Sequence, residues 1–237
     1  MNGKPVLPLA LAASTLLALT AHAVPRSGEG SGPHFLVAAE SLTAWHAGAY
    51  LRNHDRMLKK DGFEREVEMS RIMGYVGRDV LSWLSVYGTV GMASVDDDVE
   101  NLSQDAAEFG VGTWFNLLDH DTFEFLETVQ RFRVQGMLQY TLFDTDNVTW
   151  GELAGNITFG ITHEIIGSKF FWPDAVTLYV GPTVNLVNSD EYDHSSDDMF
   201  GFVIGLDLQI NRATSLGASM EIYQDDDASV GYVSVRF

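Results

Sequence analysis

The chain has no cysteine. It therefore carries no disulfide framework and no lipid-bearing cysteine behind an export signal. It is also poor in positive charge: 14 Lys and Arg stand against 33 Asp and Glu, a formal net charge of −19. So negative a surface repels phosphate backbones and excludes nucleic acid as a partner. Beyond the first ~23 residues no stretch approaches the ~18 consecutive apolar residues of a membrane-crossing helix. Yet 46% of the residues are hydrophobic and only 20% are charged. The apolar content is dispersed, as it is where only alternate residues face an apolar phase.

The N-terminal segment has the build of a cleaved secretory signal peptide, residues 1–23. Lys4 supplies the positive start, the run from Val6 to Thr20 is apolar and uncharged, and Ala21-His22-Ala23 fits the small-x-small cleavage pattern. Residues 24–40 hold Pro25, Ser27, Gly28, Gly30, Ser31, Gly32 and Pro33, a flexible lead-in rather than a domain. Residues 41–237 then form one domain.

That domain alternates with a period of two. Phe200, Phe202, Ile204, Leu206, Leu208 and Ile210 lie on one face, with Gly201, Val203, Gly205, Asp207 and Gln209 on the other. Val176, Leu178, Val180, Pro182, Val184 and Leu186 alternate in the same way with Thr177, Tyr179, Gly181, Thr183 and Asn185. Alternation sustained over about eleven residues signals a strand with one apolar face. Similar segments begin near Leu84, Phe109, Arg131, Glu152 and Leu216, and weaker ones run from Trp45 to Asp55 and from Val67 to Val76. In the last of these, Arg71 and Met73 leave the phase ambiguous. The final strand alternates Gly231, Val233, Val235 and Phe237 against Tyr232, Ser234 and Arg236. A soluble β-sandwich also alternates, but these apolar faces are too long and recur on nearly every strand. The fold class is all-β: a transmembrane antiparallel up-and-down β-barrel of about ten strands, with eight as the alternative.

With about ten strands the connections sort into two sets at opposite ends. The outer set is 59–66, 96–105, 144–147, 188–198 and 225–228; the inner set is 77–82, 118–127, 165–174 and 211–214. The last four outer connections are rich in Asp and Glu and hold no Lys or Arg. Asp96, Asp97 and Asp98, with Asp225, Asp226 and Asp227, offer hard oxygen ligands and are candidate cation-binding loops for weak Ca²⁺ or Mg²⁺ association, without EF-hand spacing. No other cofactor or metal is implied. Aromatic residues near strand ends suggest two girdles: Trp83, Phe115, Phe170, Phe171 and Trp172 at the inner end, and Tyr140, Phe143, Trp150 and Phe200 at the outer.

Inward charges are few and balanced: Arg52, Arg131, Arg133 and Arg236 against Glu108, Glu152, Asp207 and Glu221. Buried charges must be paired or hydrated, and small barrels have interiors that side chains fill. The expectation is an interior salt-bridge network and a closed lumen. His46, His54, His120 and His163 have no metal-ligand spacing and are read as rim or turn residues.

On the signal peptide, the alternating strands and the terminal aromatic of Val233, Val235 and Phe237, the chain resembles the small bacterial outer-membrane β-barrel proteins, OmpA/OmpX-like or porin-family barrels. The resemblance covers residues 41–237. It implies the outer membrane of a Gram-negative bacterium and outer-membrane lipid as a partner. It also implies a barrel-assembly machinery that reads Phe237 and its strand, and a structural or surface-interaction role with acidic extracellular loops facing an unnamed partner. A narrow channel for small solutes is the alternative. The omptin-type proteases of ten strands resemble the chain in outer-rim Asp and His, here Asp190, Asp193 and His194 with Asp96 or Asp97. However, His194 follows Asp193 without the intervening residue, and the loops are short for a deep cleft. His194 with Ser195 or Ser196 is likewise only a sequence neighbour, so no catalytic role is expected.

Overall fold

The computed structural model describes residues 45–60, 63–81, 83–97, 102–125, 128–145, 149–165, 173–189, 199–211, 213–224 and 226–237. The expected signal peptide and lead-in lie outside the described residues.

Among the described residues ten strands follow in chain order: β1 (Trp45–Lys60), β2 (Phe63–Leu81), β3 (Leu84–Asp97), β4 (Leu102–Phe125), β5 (Thr128–Asp144), β6 (Thr149–Ile165), β7 (Ala175–Ser189), β8 (Phe200–Gln209), β9 (Thr214–Ile222) and β10 (Asp227–Arg236). Each pairs with its sequence neighbours, and β10 returns to β1, so the sheet is a closed barrel. All ten pairings are antiparallel. Closure satisfies every strand edge, which a membrane demands because lipid offers no hydrogen bonds. At the end of the seam the Trp45 N–H donates to the Phe237 carbonyl (3.2 Å) and the Phe237 N–H to the Trp45 carbonyl (2.9 Å). We call this the terminal end and the opposite one the far end. Ten strands displace the eight-strand alternative. Among the described residues no helix is long and apolar enough to cross a membrane.

The two faces of the barrel have opposite chemistry. Large apolar side chains on the outer wall are more than half exposed: Phe109 60%, Val111 64%, Leu178 63% and Phe202 66%. A water-soluble protein does not expose a continuous apolar belt of this kind; a barrel in a bilayer does. On the inner wall, tyrosines lie across glycines directly opposite on the next strand: Tyr75 over Gly48, Tyr87 over Gly112, Tyr179 over Gly205 and Tyr232 over Gly217. A Cβ at any of these glycines would meet the facing ring. The missing side chain is what lets each ring lie against the wall, an aromatic cover over a glycine that would otherwise weaken the strand.

Several sequence expectations need correction. Strands run past the expected loop boundaries, since pairing continues wherever cross-strand partners exist. Lys59, Lys60 and 63–66 belong to β1 and β2, and Leu118–Phe125 belong to β4. Two register shifts in the β4–β5 pairing, at Asn116/Leu118 and Asp121/Phe123, break the alternation and made that end of β4 read as a connection. Asp96 and Asp97 lie in β3 and Asp227 in β10, not in loops.

Phe143 and Trp150, expected in the outer girdle, point inward and stack with centroids 5.9 Å apart. Their positions share the inward phase of Arg133 on β5 and Glu152 on β6, so the period of two fixes them inside. Of the other expected girdle residues, Trp83, Tyr140 and Phe200 do sit exposed on the outer surface, as does Trp45. Phe170, Phe171 and Trp172 lie outside the described residues. His46 and His54 are not rim or turn residues: both are buried on the inner face of β1.

Candidate functional site

The register stacks the interior into layers. At the far end Leu58, Val67, Met69, Ala93, Val95, Ala106, Phe143 and Trp150 form one buried apolar cluster, packed against Val187. These residues come from β1 to β6, with Val187 from β7. On the β1–β7 side the inside of the barrel at this height is therefore apolar, while Arg56, directly opposite Val67, and Asp226 are buried charges at the same height. Fully burying one such side chain is worth about 1.5–3 kcal/mol, so the cluster opposes hydration of the far end.

Below it lies an ionic layer. Arg52 donates through Nη1 to Glu152 Oε1 and through Nη2 to Glu221 Oε2, both at 2.7 Å. Glu152 also accepts from Arg71 and, at 2.6 Å, from Asn185 Nδ2. Arg71 Nε lies 3.4 Å from Glu108 Oε2. Tyr223 OH donates to Glu221 Oε2 at 3.0 Å. Glu152 stands on β6, and β6 is five strands from β1 in either direction around the barrel. The Arg52–Glu152 pair thus spans the lumen from wall to wall. Arg71 and Glu152 are 3% and 1% exposed, so little water reaches them. Each of these charges is desolvated, which is tolerable only because each has a partner.

Of the eight inward charges named from sequence, Arg52, Glu108, Glu152 and Glu221 meet in this layer. The other four stand nearer the terminal end, because their strand positions lie lower on the wall. Arg131 and Arg133 both approach Asp119, at 3.5 and 3.6 Å. Arg236 donates to Asp79, which also accepts from Ser85 Oγ at 2.6 Å. Asp207 accepts from Tyr232 OH.

Four members escaped sequence reasoning: Arg71, Arg56, Asp79 and Asp119. Arg71 was left open by the ambiguous phase of β2; its direct pairing with Arg52 across β1 and β2 decides it. Arg56 lies just past the expected end of the first strand at Asp55, and Asp79 and Asp119 lie in segments expected to be connections, 77–82 and 118–127. Arg56 Nε lies 3.0 Å from His54 Nε2 and 3.9 Å from Asp226 Oδ2, and His54 stacks on Tyr223 at 6.0 Å.

Of the candidate cation loops, Asp98 and Asp225 lie outside the described residues. Asp226 is buried, facing Arg56 and accepting from the Met57 N–H at 2.7 Å. Asp96 and Asp227 are on the outer wall. There Asp227 stands opposite Asp55, Asp55 opposite Glu68, and Glu68 opposite Asp96, a row of four carboxylates on adjacent strands. Among the described residues no group of three or more His, Cys, Asp or Glu is placed to hold a metal ion. Asp190, Asp193, His194, Ser195 and Ser196 lie outside the described residues. Phe237 is exposed on the outer wall, with Val233 and Val235 in the same outward phase.

No family model matches the chain, and no curated protein matches it. Among solved structures it is similar to an outer membrane channel from Pseudomonas putida F1, with 8% identity, 87% of this chain and 100% of that chain covered, and a TM-score of 0.46. It is similar also to the transport unit of the autotransporter AIDA-I from Escherichia coli, with 10% identity, 95% and 97% coverage and a TM-score of 0.43. Ail, the attachment invasion locus protein of Yersinia pestis, matches with 10% identity, 82% and 99% coverage and a TM-score of 0.25. At these values the likeness is one of barrel architecture and says nothing of this chain's activity.

Proposed function

We propose that the protein is an integral outer-membrane β-barrel with a closed lumen, serving a structural or surface-interaction role. The observation that carries this reading is the pair from Arg52 on β1 to Glu152 on β6, at 2.7 Å across the full width of the barrel. The apolar cluster on its far side supports the same reading. A diffusion channel would need both layers to part. That would leave Arg52, Arg71, Glu108 and Glu152 without partners in a low-dielectric interior, a cost of several kcal/mol per ion.

The surface-interaction half of the reading is supported by the acidic far end. Its field draws cations, Ca²⁺ or Mg²⁺ in weak association, toward anionic lipid, and disfavours polyanions. Within this reading the far end faces the cell exterior and the terminal end the periplasm. Outer-membrane lipid surrounds the wall, and the assembly machinery reads β10 and Phe237. The chain acts as a non-enzymatic component of the envelope.

The test is reconstitution of the purified protein in planar bilayers together with fractionation of cells that express it. The reading expects the protein in the outer-membrane fraction and no large, steady conductance. A stable porin-sized open state promotes the channel reading instead, and recovery as a soluble periplasmic protein removes both.

A further inference from the structure

Between the ionic layer and the polar layer of the terminal end lies a chamber of about 140 Å³, to which all ten strands contribute wall residues. Part of its wall is half-buried, at Trp114, Gln139 and Ser219, and part is buried, at Tyr87, Thr158 and Val203. The layers on either side, with Glu108 and Glu152 above and His46, Asp79 and Ser85 below, are buried. The chamber is thus flanked along the barrel axis by buried residues on both sides.

Three features define what would fit it. The first is size: an enclosed protein cavity of about 150 Å³ accepts a molecule the size of benzene. The second is a fixed aromatic wall. Tyr87 stacks on Trp114 with centroids 3.4 Å apart and planes 19° apart. Tyr87 OH donates to Gln139 Oε1 and Gln139 Nε2 donates to Tyr50 OH, both at 2.9 Å. These rings are held by one another before any ligand arrives, which lowers the ordering cost of binding. The Tyr50 hydroxyl, already accepting from Gln139, keeps its own proton to donate. The third is neutrality: Arg52 and Glu221, which border the chamber, are paired with each other, so the wall offers no net charge to an ion.

We propose that this chamber is a binding site for a neutral, single-ring aromatic compound bearing one hydrogen-bonding substituent, the phenol class. The ring would lie against Tyr87 and Trp114, and the substituent would accept from the Tyr50 hydroxyl. The site rests on the closed-lumen reading, because an open pore would flush it with solvent.

The probe is 4-fluorophenol, followed by fluorine NMR on the full-length mature protein folded in detergent micelles. The expected result is a saturable bound resonance, one equivalent per chain, distinct from probe dissolved in the micelle. Ala154→Leu and Ser219→Leu, made separately, fill the chamber from two strands and should each weaken binding about tenfold or more. Leu178→Ala, on the outer wall, should leave it unchanged. A heat-dependent shift on a denaturing gel identifies the variants that remain folded barrels, and either filled variant alone suffices. Absence of a saturable resonance in the unaltered protein overturns the proposal. So does a bound resonance that survives in a folded Ala154→Leu or Ser219→Leu variant. Conductance is recorded on the same preparation: a closed barrel without the resonance overturns the chamber alone, whereas a steady porin-sized current overturns the closed-lumen reading beneath it.

Discussion

Glu152 concentrates the interior chemistry in one side chain. It accepts from Arg52, Arg71 and Asn185 and is 1% exposed. Glu152→Gln keeps the shape and removes the charge, leaving two desolvated guanidiniums with one carboxylate fewer. Breaking a buried pair in this way costs about 3–5 kcal/mol, and urea unfolding of the protein in lipid vesicles should register a loss of that order. The pair of Lys59 and Glu64, 3.7 Å apart on the exposed rim, is the internal control: Glu64→Gln should change stability by about 0–1 kcal/mol. Comparable losses at both positions would contradict the layered interior. The inward charges Arg52, Glu108, Glu152 and Glu221 were readable from alternation alone. Arg71 was not, because the phase of β2 was ambiguous, and which charges pair across the lumen was not either, because sequence separation carries no signal of it.

At the scale of the strand, legibility followed regularity. β7 to β10 alternate without interruption, and the structure keeps the phase read from sequence. β2 was ambiguous because Arg71 and Met73 share the inward face while Ile72 is exposed, so polarity did not mark the faces. β4 was cut short because the register shift at Asn116/Leu118 puts Leu117 and Leu118 both outside, and a second shift follows at Asp121/Phe123. Face assignment has a direct energetic consequence: Leu206→Arg on β8 places a charge toward lipid and should cost about 2–4 kcal/mol near mid-height, measured by the same unfolding assay. The acidic row on β10, β1, β2 and β3 makes a prediction of opposite sign. Glu68 stands opposite both Asp55 and Asp96, and like charges directly opposite one another are destabilising. Glu68→Gln should therefore raise stability by about 0.2–1 kcal/mol. The gain should shrink as salt shortens the Debye length below the roughly 10 Å of 0.1 M solution. A loss of stability instead would mean that the row is held by something it binds.

At the scale of the whole barrel the wall carries apolar side chains outside, and the described interior holds an apolar cluster, an ionic layer and the chamber beside it. Fold class and strand number were legible because a period of two, repeated along the chain, admits few architectures. The layering was not, since it depends on the stagger between strands, which no single strand records. The absence of cysteine makes the central claim, that this wall is embedded in a bilayer with alternate side chains facing lipid, directly measurable. Single cysteines placed in turn from Phe202 to Leu208 on β8 can carry a small fluorophore in vesicles whose lipids bear a nitroxide quencher in the acyl chain. The account predicts strong quenching at 202, 204, 206 and 208 and weak quenching at 203, 205 and 207, a clean period of two. Uniform quenching along the strand, or none at any position, would contradict it.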